Sequence, residues 1–68
     1  MITGTTRILV ILGDPIDKVR SPETFTRRFE ANGIDAILIP VHVTKADLSR
    51  AVEGLKTWKN LAGIVVTM

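Results

Sequence analysis

With 68 residues and a net charge of +2, the chain forms one domain at most, and a chain of this size buries only about 60% of its unfolded surface, so its fold has to be compact. Hydrophobic residues make up 46% of the sequence and are spread along it, which argues against intrinsic disorder. There is no cysteine, so neither a disulfide nor a thiolate metal site can staple the fold, and the interleaved acidic and basic residues form no concentrated patch for nucleic acid.

The amino-terminal stretch MITGTTRILVILGDP contains a short apolar run that suits a buried strand better than a signal peptide, and no segment approaches membrane-spanning length. A cytoplasmic protein is expected. Arg7 to Leu12 (RILVIL) is rich in β-formers and closes on Gly13, Asp14 and Pro15, which predicts a first strand buried on both faces. The following GDPIDKVR reads as a loop, although Ile16 and Val19 are apolar for exposed positions and call for cover.

Ser21-Pro22 predicts a helix start, with the Ser21 hydroxyl as cap, Pro22 at the first helical position and Glu23 at the positive helix end. Phe25 and Phe29 share one face of that helix as packing residues, and Gly33 supplies its left-handed stop. Ala36 to Val41 (AILIPV) is a second strand, in which Pro40 donates no amide and therefore marks an edge or a strand end. Thr44 and Asp47 resemble a capping box before a second helix carrying Leu48, Ala51, Val52 and Leu55, with Trp58 and Leu61 packing its far end. Gly63 to Thr67 (GIVVT) is a third buried strand.

This βαβαβ order predicts an α/β fold of three layers, with right-handed crossovers and a parallel sheet in which the strands lie in the order 2-1-3. Ligands of such sheets bind beyond the carboxyl ends of the strands: here the loop from Gly13 to Ser21, the Pro40 to Thr44 segment, and Thr67-Met68. No helix follows the third strand to cover Ile64, Val65 and Val66, so the chain reads as a truncated part of a larger domain. A glycine after a first strand also raises a dinucleotide site, but there is no GxGxxG, and none is expected in this chain. His42 is the sole histidine, yet the sequence sets no acid or nucleophile beside it. Asp14, Asp17 and Glu23 are too few and too turn-like for a metal.

The segment GDPIDKVRSP resembles the opening motif of the shikimate dehydrogenase substrate-binding domain, which the family writes Gly-x-Pro-Ile-x-His-Ser-x-Ser-Pro. Gly63 to Met68 resembles the family's Gly-x-Asn-Val-Thr-x, and the two motifs bracket nearly the whole chain in the family's order and spacing. The resemblance implies that residues 1–68 are part of a substrate-binding domain whose parent is an NADP- or NAD-dependent oxidoreductase. Its substrate would be a cyclic hydroxy acid such as shikimate, quinate or an analogue. The partner would be a Rossmann cofactor domain of the same parent chain, and the catalytic lysine would lie after Met68, so no catalytic residue is expected within the chain.

By the same resemblance, Ser21 and Thr67 keep a substrate-binding serine and threonine. Val19 stands where the family has its other serine, Lys18 where it has histidine, and Val65 where it has asparagine. A valine at position 19 leaves a polar ligand group without its donor, at a cost of about 1 to 3 kcal/mol in a dry site. Lys18 or Arg20 could offset this by pairing with the ligand carboxylate. The alternative is a non-catalytic binding or self-assembly module derived from the same fold, which as a homo-oligomer would hide its third strand.

Overall fold

The computed structural model describes residues 1–68. Strand β1 spans Arg7–Gly13, helix α1 Ser21–Ala31, strand β2 Ala36–His42, helix α2 Leu48–Leu55 and strand β3 Leu61–Thr67, with a single 3-10 turn at Lys45–Asp47 before α2. The strands are parallel throughout and lie in the order β2-β1-β3, as the apolar pattern predicts.

The continuous apolar run of β1 makes it the central strand, with Val10 and Leu12 fully buried. On one face of the sheet these two pack with Val43 and with Leu55 of α2, and Ile39, Val41, Leu61 and Ile64 close around them. The opposite face carries α1, which seats Pro22 in the interior and lies over β2. Thr26 of α1 accepts a hydrogen bond of 3.1 Å from the backbone amide of Leu38, which occupies an amide of the edge strand β2. Two helices on opposite faces complete the three layers.

Pro40 lies opposite Ile11 in this edge strand, which continues to His42; an edge tolerates the missing amide. Gly33 ends α1 at φ 68°, and the Ile34 amide closes the turn on the Phe29 carbonyl at 2.8 Å. This is the left-handed stop expected of a glycine there.

Several local expectations are corrected. Helix α1 begins at Ser21 itself, with Arg20 in the capping position. The Thr24 amide bonds the Arg20 carbonyl at 3.3 Å, so the first turn closes one residue earlier than a Ser21 cap allows, and Pro22 falls where no amide partner is needed. Thr44 and Asp47 form no capping box. Their side chains make no reciprocal bonds; the Asp47 amide reaches the Thr44 carbonyl at 3.0 Å, and the Asp47 carboxylate pairs with Arg50.

Phe25 and Trp58 are 44% and 42% exposed where packing was expected. Phe25 instead meets Phe29 in a tilted pair with ring centroids 6.3 Å apart, and Leu55 is the residue that α2 buries. Strand β3 starts at Leu61 rather than Gly63, with a register shift opposite Ile8 and Leu9. Nor is β3 the buried strand that its apolar run predicts: Val65 and Val66 are half exposed, at 49% and 50%, because no helix of the chain covers them, whereas Ile64 is partly sheltered against the α2-side core.

Candidate functional site

The carboxyl ends of the three strands form one rim. In the sheet register Gly13 pairs with His42 on one side and Thr67 on the other, and residues paired in this way share a face. Two pairs earlier, Ile11 lies between Pro40 and Val65, so Val65 and Thr67 project from the same face of β3. The Val43 amide bonds the Gly13 carbonyl at 3.1 Å, which holds the exit from β2 against the exit from β1.

Gly13 is required for this closeness. A β-carbon there would stand 2.5 Å from the Thr67 carbonyl oxygen, 2.9 Å from its methyl carbon and 3.0 Å from Cδ1 of Ile16. The half-buried Ile16 thus finds its cover against the end of the sheet. The connection from β1 to α1 runs through Pro15 and carries no glycine-rich turn of the kind that cradles a dinucleotide pyrophosphate.

Beyond Gly13, Asp17, Lys18, Val19 and Arg20 line an open hollow of about 520 Å³. Lys18 and Arg20 are exposed and Val19 half-buried, and a turn from the Val19 amide to the Ile16 carbonyl, at 3.2 Å, shapes the loop. The ion pairs of the chain are Glu23–Arg27, Asp14–His42, Asp47–Arg50 and Glu53–Lys56, which leaves Lys18 and Arg20 without a carboxylate partner. Ser21 follows this loop half-buried, and with Arg20 in the capping position its hydroxyl is free of capping duty. The structure therefore sets Lys18, Val19 and Arg20 around one hollow with Ser21 at its helix end, and seats Thr67 and Val65 on β3 across Gly13.

One pair escaped the sequence. His42 Nε2 lies 2.8 Å from Oδ1 of Asp14, so the histidine does have an acid beside it, which corrects the expectation of an isolated ring. The two residues are far apart in the chain, and only the register opposing Gly13 to His42 makes them neighbours; aligning the ends of the first two apolar runs would have been the signal. At the opposite end of the strands a separate hollow of about 410 Å³ is lined by Thr26, Glu30, Ile34 and Asp35 among others. It is remote from the rim. No helix of the chain is long and apolar enough to cross a membrane.

Comparison with known proteins agrees with the motif reading. The sequence model of the family described as shikimate dehydrogenase substrate binding domain matches residues 11–68. The chain is 42% identical over 67 residues to a shikimate dehydrogenase (NADP(+)) of Geobacter metallireducens, covering 98% of this chain and 23% of that protein. It is 40% identical over 68 residues to one of Pyrococcus furiosus, covering 100% of this chain and 24% of that protein, and 34% identical to one of Methanobrevibacter smithii with the same coverage. The chain thus spans about a quarter of the length of the curated relatives it matches. Motif, fold and similarity over nearly its whole length agree: the chain belongs to the shikimate dehydrogenase substrate-binding domain family.

Proposed function

We propose that this chain is the substrate-binding portion of an NADP-dependent, shikimate dehydrogenase-like oxidoreductase acting on a cyclic hydroxy acid: shikimate, quinate or an analogue. In the parent protein the nicotinamide belongs to a separate cofactor domain, and the catalytic lysine follows Met68. The reaction would be the reversible reduction of a ring ketone. The observation that supports this reading is that the first motif begins at Gly13, the last residue of β1, and the second motif ends at Thr67, its register partner on β3.

In this reading Ser21 and Thr67 contribute hydroxyls to the ligand. Lys18 and Arg20, free of internal ion pairs, supply positive charge for its carboxylate, Arg20 in bidentate fashion. Val19 and Val65 replace two polar contacts by apolar wall, which favours a ligand with fewer or displaced hydroxyls at those positions. Calorimetry of the full-length protein with shikimate and quinate, together with NADPH formation followed by absorbance, tests the proposal. Binding of at least one acid with nicotinamide reduction is expected; binding of neither would overturn it. Val19→Ser should strengthen shikimate or quinate binding about fivefold or more, by restoring one hydrogen bond.

A further inference from the structure

In the Asp14–His42 pair, Asp14 fills a variable position of the first motif, whereas His42 belongs to neither motif. Its side chains are 42% and 61% exposed, and so exposed a pair contributes little to folding stability. Its geometry nevertheless has a chemical consequence. A carboxylate only accepts hydrogen bonds, so in the 2.8 Å contact Nε2 of His42 is the donor. Nδ1 is then the ring's remaining polar atom, an acceptor in the neutral imidazole, and it makes no hydrogen bond within the chain.

His42 and Thr67 flank Gly13 in one row on the same face. Two strand spacings separate their backbones by about 10 Å, a span that a ring-sized ligand lying over the row can bridge. Between them Gly13 contributes no side chain, and the Thr67 methyl and Ile16 Cδ1 lie above it, giving the row an apolar floor.

We propose that His42 is a specificity-determining residue that accepts a hydrogen bond from a ring hydroxyl of the cyclic acid at Nδ1, and that Asp14 is the positioning residue that fixes its tautomer and orientation. This rests on the reading of the rim as a cyclic hydroxy acid site. It adds a contact from β2, which neither sequence motif includes, and supplies an acceptor on a rim where Val19 and Val65 supply none.

The test is calorimetric affinity of the full-length protein and its variants for two acids: shikimate, and cyclohexene-1-carboxylate, which keeps ring and carboxylate but lacks the hydroxyls. His42→Ala should weaken shikimate binding about tenfold and leave the dehydroxylated acid within about twofold, since only the hydroxyl loses its partner. Asp14→Asn should weaken shikimate by less, with the same selectivity between the two acids. Equal loss for both acids, or no loss for either, would overturn the proposal and reduce the pair to a tether of the loop. Failure of the unsubstituted protein to bind either acid is a different result, which removes the cyclic-acid reading itself and the role of His42 with it.

Discussion

The two ends of the sheet spend their polar groups differently. At the amino ends of the strands Thr6 is 1% exposed, donates to Asp35 at 2.8 Å and accepts from the Thr3 amide at 2.9 Å. Asn60 donates to the Thr6 carbonyl at 2.9 Å, and the Arg7 and Ile8 amides reach the carbonyls of Asp35 and Asn60, both at 2.9 Å. The entries of all three strands are thereby tied together, with no buried side-chain polar atom left unpaired. At the carboxyl ends Lys18 and Arg20 have no internal ion-pair partner, the Ser21 hydroxyl caps nothing, and the sole side-chain pair, Asp14–His42, is exposed. One end is closed by its own hydrogen bonds; the other leaves most of its polar side chains without a partner in the chain.

Substitutions in the full-length protein can break or sharpen that contrast. The largest effect belongs to the core that both ends share: Leu12→Ala removes a fully buried side chain and should cost about 2 to 5 kcal/mol in chemical denaturation. Gly13→Ala should cost about 1 to 3 kcal/mol, because the new methyl meets the Thr67 carbonyl and one of the two exits has to move. Unlike Leu12→Ala it should also disturb ligand affinity at temperatures where the protein remains folded. A Gly13→Ala variant that keeps both stability and affinity would mean that the close approach of β1 and β3 is dispensable.

Thr6→Val tests the closed end. It deletes a donor to Asp35 and an acceptor for Thr3 at a buried site, so a loss of about 1 to 3 kcal/mol is expected, with ligand affinity unchanged while the fold persists. Ser21→Ala is its counterpart at the open end. Because the hydroxyl caps nothing, stability should stay within about 0.5 kcal/mol while affinity for the cyclic acid drops. Should Thr6→Val weaken the ligand, or Ser21→Ala unfold the protein, the division between a structural end and a binding end would not hold. The smallest effect is Arg27→Ala, which breaks the exposed pair with Glu23 and should change the melting temperature by no more than a few tenths of a kcal/mol in equivalent stability.

Much of the fold was legible because it is written in local patterns. RILVIL and GIVVT mark strands, and Asn32-Gly33 marks a helix stop; the βαβαβ order of such segments allows few topologies. Where the sequence misled, a competing residue a position or a turn away, or exposure to solvent, decided the outcome. Ser21 looked like a cap, but the Arg20 carbonyl accepted the first helical bond. Thr44 and Asp47 looked like a capping box, but Arg50 took the aspartate. Trp58 reads as core, but past the end of α2 it stays 42% exposed. The candidate site was legible as two motifs: the strand ends alone point to the loop holding Lys18, Val19, Arg20 and Ser21 and to Thr67, and the family resemblance adds Val65.

The sequence by itself determined which segments become strands and helices, their order, and the edge on which a ligand is expected, since each follows from side-chain periodicity and turn chemistry over a few residues. Only the tertiary structure decided the register that sets His42, Gly13 and Thr67 in one row and Asp14 against His42. That register comes from packing apolar strand faces between two helices, and sliding one strand by a single residue would turn its side chains to the other face. Contacts made across strands depend on that alignment, which no short stretch of the chain encodes.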